Sequence, residues 1–231
     1  MALAWLEWNG VVYWVEYQRR PFEPRSAVAA LIEGIWQSFP ASAHFMLRSR
    51  IFSTESPTQL CRGIVIVCAK RMTHVDIVPH ELMSRMRLCD KAVNVNFDKF
   101  NHSSSLLNSV PQHSGVKAEQ NRSIECWLLS REGRLLATAP NTAGRDRTRH
   151  AEMNLLKNWW QRERRPLPRG GRLWVTLEPC SMCAGAIWEC VEDKADFKVL
   201  FLEQDFGSAA ARSVLRGHDI LEHCPNVGHQ F

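Results

Sequence analysis

The chain of 231 residues is 45% hydrophobic and 23% charged, with a formal net charge of +5. That balance excludes a disordered or collagen-like polymer and supplies apolar mass for one large domain or two small ones. The opening stretch, Met1 to Trp8, lacks a cationic head, and Glu7 and Glu16 interrupt the apolar run around it, so neither an export signal nor a membrane span is expected.

The first third reads as a small α/β domain over residues 1–90. Trp5 to Trp8 and Val11 to Tyr17 flank Asn9-Gly10, a two-residue hairpin signal. Beyond Pro24, Val28, Leu31, Ile32 and Ile35 fall at helical spacing between Ser26 and Trp36. His44 to Phe52 is expected as a strand and Gly63 to Ala69 as a buried strand; Pro79 opens a helix through about Leu88. The order is then β-β-α-β-β-α. Trp5, Trp8, Trp14 and Trp36 are expected in a core, and His44, His74 and His80 lack ligand spacing.

Residues 91–122 turn rich in Asn, Ser, Gln and Lys and read as a linker, with Phe97 to Val110 as an alternative helix. A second domain is expected over residues 123–231. Ile124 to Leu129 and Leu135 to Ala139 make a hairpin around Glu132-Gly133. Then come a helix from His150 to about Arg162, a strand Arg172 to Leu177, a helix Cys180 to Val191 and a strand Phe197 to Leu202. A helix over Ala209 to Leu215 and a short strand over Asp219 to Glu222 complete it. Helix-linked strands imply parallel pairing and right-handed crossovers. The expected fold is a three-layer α/β/α sandwich around a mixed five-stranded sheet, plus the small N-terminal α/β domain.

Chemistry concentrates between His150-Ala151-Glu152 and Thr176-Leu-Glu-Pro-Cys-Ser-Met-Cys183. One imidazole and two thiolates offer three ligands to a zinc ion and leave a fourth tetrahedral position open, the pattern of a catalytic rather than a structural site. Cys180 and Cys183 share one face of a first helical turn, where unpaired N–H groups and the positive dipole end favour thiolate. Glu152 sits two residues past His150, about 200° around a helix, so it can face substrate without binding metal. It would take and return protons, as base and then as acid. Cys61, Cys68, Cys126 and Cys190 lie in apolar surroundings and read as core residues. Eight cysteines in this pattern suggest a reducing cytoplasm rather than a disulfide framework.

His-x-Glu followed by Pro-Cys-x-x-Cys resembles the signature of zinc nucleobase deaminases. Thr176 to Ile187 is similar to the matching segment of bacterial tRNA adenosine deaminases, within the zinc-dependent cytidine/deoxycytidylate deaminase superfamily, and less closely to guanine deaminases. The resemblance runs from about Ile124 to about His223. It implies one zinc per chain, a base or ribose contact from Asn141, a base contact from the backbone N–H of Ala151, and a last pair of strands that run parallel. It also implies a homodimer. Arg149 departs from it, a cation at the pocket rim where the tRNA enzymes have a small residue, and the N-terminal domain is additional.

Charge is unevenly spread. Between Ala143 and Arg172 stand nine basic residues against three acidic ones, more net charge than the whole chain carries. Arg145, Arg147 and Arg149 are the expected first contacts to phosphate, and Trp159 or Trp160 could offer an exposed stacking platform. The bland alternative has the cations of Lys157 to Arg172 complementing a helix dipole, with one tryptophan in the core and one at the surface. Three functions compete: deamination of a base within RNA or single-stranded DNA; deamination of a free base, nucleoside or nucleotide, guanine included; and a non-catalytic zinc-stabilised nucleic-acid-binding module. Glu152 argues against the last.

Overall fold

The structure is a computed structural model describing residues 1–88, 92–95, 124–144 and 146–225. Its strands form two five-stranded mixed sheets, so the expected mixed α/β class and the five-stranded C-terminal sheet are both found.

The first sheet begins with the hairpin β1 (Ala2–Trp8) and β2 (Val11–Tyr17). Asn9 and Gly10 both have positive φ, 51° and 76°, which a tight two-residue hairpin turn requires. Helix α1 (Ala27–Ser38) follows, its first turn capped by the Ser26 hydroxyl accepting from the Ala29 N–H. A 3-10 turn over Ala43–Arg48 leads into β3 (Arg50–Ser53), so most of the strand expected from His44 is a tight helical turn.

The larger correction concerns Gly63 to Ala69. These residues belong to helix α2 (Gln59–Cys68), not to a buried strand. A short apolar run cannot be assigned by periodicity alone, and the exposed position within this one is Ile66, as apolar as its buried neighbours. The overlooked signal was Pro57-Thr58: the Thr58 hydroxyl accepts from the Cys61 N–H and caps the helix. Strand β4 (Arg71–His74), helix α3 (His80–Leu88) and strand β5 (Ala92–Asn94) complete the unit, in the order β4-β3-β1-β2-β5. Neither β4 nor β5 was expected. Because β5 pairs with β2, the first sheet reaches past residue 90.

Alternation along β1 sends Ala4 and Leu6 to one face and Leu3 and Trp5 to the other, and both faces are buried. The first face packs on α1 in the main core, while the second joins Val12 and Met86 of α3 in a smaller one. The expected helix over Phe97 to Val110 lies outside the described residues, as do Cys89 and Arg145.

The second sheet runs β10-β9-β8-β6-β7. The hairpin β6 (Glu125–Leu129) and β7 (Leu135–Pro140) precedes α4 (Ala151–Glu163), β8 (Arg172–Leu177), α5 (Ser181–Cys190) and β9 (Lys198–Glu203). Every one of these matches expectation within two residues. The last helix is shorter than expected, a single turn α6 (Ser208–Ala211), and β10 (Leu221–His223) pairs parallel with β9, as the resemblance implied. One continuous apolar core joins the two halves, with α2 packed on α5 at its centre.

Candidate metal centre

Two helix N-termini build the site. His150 is the N-cap of α4 and Cys180 the N-cap of α5, both in extended backbone, and neither side chain spends itself on capping its own helix. The imidazole and thiol are therefore free to meet each other. His150 Nδ1 stands 3.5 Å from Cys180 Sγ and 3.6 Å from Cys183 Sγ, and the two sulfurs are 3.7 Å apart. Zinc bonds of about 2.3 Å to sulfur and about 2.0 Å to nitrogen imply tetrahedral edges of roughly 3.8 Å between sulfurs and roughly 3.5 Å from sulfur to nitrogen. The triangle fits those edges, so the donor set suits zinc in both chemistry and size. Among the described residues no other group of three such side chains comes this close together.

Electrostatics separate the two thiols. The hydrogen bond from Cys183, assisted by His150, holds Cys180 well below the usual thiol range despite its burial. Burial and the neighbouring Cys180 charge push Cys183 up. Burial alone would lower His150, but its bond to Cys180 and that residue's charge outweigh it and raise the imidazole.

Glu152, only 4% exposed, lies in the first turn of α4 with its carboxylate in hydrogen-bonding contact with Cys183. Burial and the Cys180 charge push it up to about 7, well suited to passing a proton in either direction. Helical spacing puts Glu152 about 200° around from His150, and its carboxylate lies against Cys183 of the other helix.

The other expected contacts are positioned less directly. Asn141 opens the loop beyond β7, and its Oδ1 accepts from the Ala143 N–H, a turn-stabilising bond. Ala151 is fully buried as the first residue of α4, where a backbone N–H has no intrahelical acceptor. Arg149 pairs with Asp146 at 3.2 Å.

Sequence reasoning missed the residues that hold this loop. Asn154 donates from Nδ2 to the Pro140 carbonyl, the Thr142 hydroxyl and the Arg149 carbonyl, tying residues 140–149 to α4. Thr148, 1% exposed, donates through both its N–H and hydroxyl to Asp146. Glu178, two residues before Cys180, is buried and holds Arg216 through two bonds of 2.7 Å. A carboxylate between Leu177 and Pro179 was a visible sign of such a pair, but its partner lies too far along the chain to be guessed.

The cationic run ends differently from expectation. Both Trp159 and Trp160 are buried, so neither is a surface platform. Trp159 donates from Nε1 to the Pro166 carbonyl, with Arg162 and Arg165 over its ring at 5.4 and 5.6 Å. Those two arginines also pair with Glu163, Arg169 with Glu192, and Lys157 with Glu33. Of these, Lys157 lies mid-helix, whereas Arg162 and Glu163 stand at the far end of α4, roughly 18–20 Å from His150 at 1.5 Å per residue.

The C-terminal half of the chain is a cytidine deaminase-like domain. Residues 115–225, just under half of the chain, match the model of a family described as Bd3614-like deaminase. Among curated proteins, the tRNA(Ile)-lysidine synthases of two strains of Thermus thermophilus are each 54% identical over 61 residues, 26% of this chain and 11% of theirs. The chain thus spans about a tenth of the length of these relatives. Among solved structures, one from biochemical and structural studies of A-to-I editing by tRNA:A34 deaminases at the wobble position of transfer RNA matches at 30% identity. It covers 44% of this chain and 78% of that one, with a TM-score of 0.31. No helix among the described residues is long and apolar enough to cross a membrane.

Proposed function

We propose that the protein is a zinc-dependent hydrolytic deaminase acting on a nucleobase within RNA or single-stranded DNA, with release of ammonia. The observation that carries this reading is the His150, Cys180, Cys183 triangle of tetrahedral dimensions with the buried Glu152 carboxylate against it. A structural zinc site would have no use for that carboxylate, which argues against a silent binding module.

Three protein donors would hold zinc, which when bound supplies a Lewis acid able to activate water at neutral pH. Glu152 carries one proton of the attacking water to the ring nitrogen and then a second, from the hydroxyl so formed, to the departing amine, so one group serves as base and acid in turn. The backbone N–H of Ala151 and the side chain of Asn141 orient the base, and the loop bonds made by Asn154 and Asp146 keep that edge in place. Arg147 and Arg149, on the same loop, are the cations best placed to meet a phosphate. The name of the Thermus relatives, tRNA(Ile)-lysidine synthase, supports an RNA substrate. A reducing cytoplasm suits a site whose ligands are thiols.

Ammonia release measured across free bases, nucleosides, single-stranded DNA and RNA tests the proposal. Turnover confined to polynucleotides is expected. Turnover on free bases or nucleosides alone would replace it with the small-molecule reading, and no turnover on any of them, with zinc bound, would leave the binding module.

A further inference from the structure

The two halves of the chain follow one path. Each runs hairpin, helix, strand, helix, strand, and in each the hairpin strands pair antiparallel, the first strand pairs antiparallel with the third, and the third pairs parallel with the fourth. The sheets differ in where the last strand docks: β5 beside β2, β10 beside β9.

Register agrees as well as topology. β1 meets β3 through Ala4↔Ser53 and Trp5↔Phe52; β6 meets β8 through Cys126↔Val175 and Trp127↔Trp174. Counted forward from Ser53 and Val175, Pro57 falls on Pro179, Thr58 on Cys180, Cys61 on Cys183, Gly63 on Gly185 and Cys68 on Cys190. Helices α2 and α5 are each 10 residues long, with Thr58 and Cys180 as their N-caps. Ser26 caps α1 where His150 caps α4, and Val28 stands where Glu152 stands.

The metal-binding corner has a counterpart without its chemistry. Ser26 and Thr58 hydroxyls cap their own helices, Thr58 Oγ1 lies 3.4 Å from Cys61 Sγ, and Ser26 bonds the same thiol. Glu55 Oε2 accepts from the Ala27 N–H at 2.8 Å. Hydroxyls and a carboxylate satisfy the two helix N-termini that in the other half are left to His150 and the cysteines.

Contacts between the halves are reciprocal. A Cβ on Gly63 would strike the backbone of Ser181, and one on Gly185 would strike the backbone of Gln59, its counterpart. Glu33 and Lys157, at equal distances past Ser26 and His150, pair with each other at 2.8 Å. Contact of i with j and of j with i is the mark of a two-fold interface.

We propose that residues 1–88 and 92–95 belong to a second copy of the deaminase fold, in which helix-capping hydroxyls stand at two of the three ligand positions and only Cys61 is kept, and that it serves, within one chain, as partner subunit to the catalytic copy. The helix bearing Cys183 is buried along nearly its whole length, which its own sheet alone could not achieve; α2 covers the remainder. The homodimer implied by resemblance is thereby replaced by an internal pair.

The proposal rests on the ligand assignment above, and the test separates the two. Ser26→His with Thr58→Cys completes a His/Cys/Cys set around the existing Cys61. Metal-free wild type and double variant are titrated with Co²⁺, following thiolate charge-transfer and tetrahedral d–d absorption. The folded variant should bind one equivalent more than wild type, and adding Cys61→Ala should abolish the gain. Equal stoichiometry in wild type and the folded double variant would overturn the proposal. Wild type binding no cobalt would instead sink the ligand assignment, while the difference of one equivalent would still report on the repeat. Light scattering of the full chain should read the mass of a single chain; a stable dimer would show that the partner's place is not already filled.

Discussion

Cys180 and Glu152 divide the labour at the site, and their substitutions should separate cleanly. Cys180→Ala removes one of three donors in a triangle whose sides are 3.5 to 3.7 Å, so zinc content by elemental analysis should fall from about one per chain to well below it. Full zinc occupancy in that variant would refute the ligand set. Glu152→Ala leaves the three donors untouched and should keep its zinc. General acid–base groups typically contribute about 10²–10⁴-fold, and this one acts more than once, so ammonia release should drop by at least that range. Near-native turnover would mean the proton moves by another route.

At the scale of elements, the contact of α2 with α5 positions the candidate ligand thiols Cys180 and Cys183. Small residues at the crossing let the two backbones touch: Gly63 lies against Ser181 and Gly185 against Gln59. A larger side chain there must push apart two helices that are each rooted in a sheet. Overpacking a close contact costs about 1–3 kcal/mol or more, so Gly63→Val should lower Tm by several degrees. It should also weaken zinc affinity, because Ser181 sits between the two ligands on α5. A variant with unchanged Tm would show that the helices do not approach so closely. That α2 is a helix at all was readable only in part: Pro57-Thr58 announces a start, but the apolar run that follows fits a strand equally well until its neighbours are known.

For the whole molecule, the ion pair between the halves makes a pH-dependent claim. Glu33 is 1% exposed; burial opposes its charge, but Lys157 and Arg25 outweigh that and lower its pKa. A carboxylate depressed in the folded state stabilises it above the unfolded value of about 4.3, and that stability is lost as pH falls through the folded value. Denaturant unfolding of Glu33→Gln should therefore show a deficit at neutral pH that shrinks toward pH 3. A deficit independent of pH would mean that packing rather than charge is at stake.

The polynucleotide reading is also a claim about the whole surface. Each phosphate neutralised on a single strand adds about 0.7 to the negative slope of log affinity against log salt. Replacing Arg147 and Arg149, beside His150, should flatten that slope, whereas replacing Arg162 and Arg165, beyond the far end of α4, should leave it nearly unchanged. Absence of salt-dependent binding to RNA or single-stranded DNA would return the substrate to the small-molecule class.

The sequence by itself determined the candidate metal corner and the elements that carry it. Cap positions, the three-residue spacing of two thiols and the alternation of strands act within a few residues, so His150, Glu152, Cys180 and Cys183 were legible before any fold was known. Only the tertiary structure decided that Gly63 to Ala69 is helical, that both tryptophans of α4 are interior, that Glu178 meets Arg216, and that the first half retraces the path of the second. These depend on contacts between segments far apart in sequence. The repeat in particular lacks the His and the first Cys that would have revealed it; Pro57, Cys61, Gly63 and Cys68 match Pro179, Cys183, Gly185 and Cys190 only once strand register aligns them.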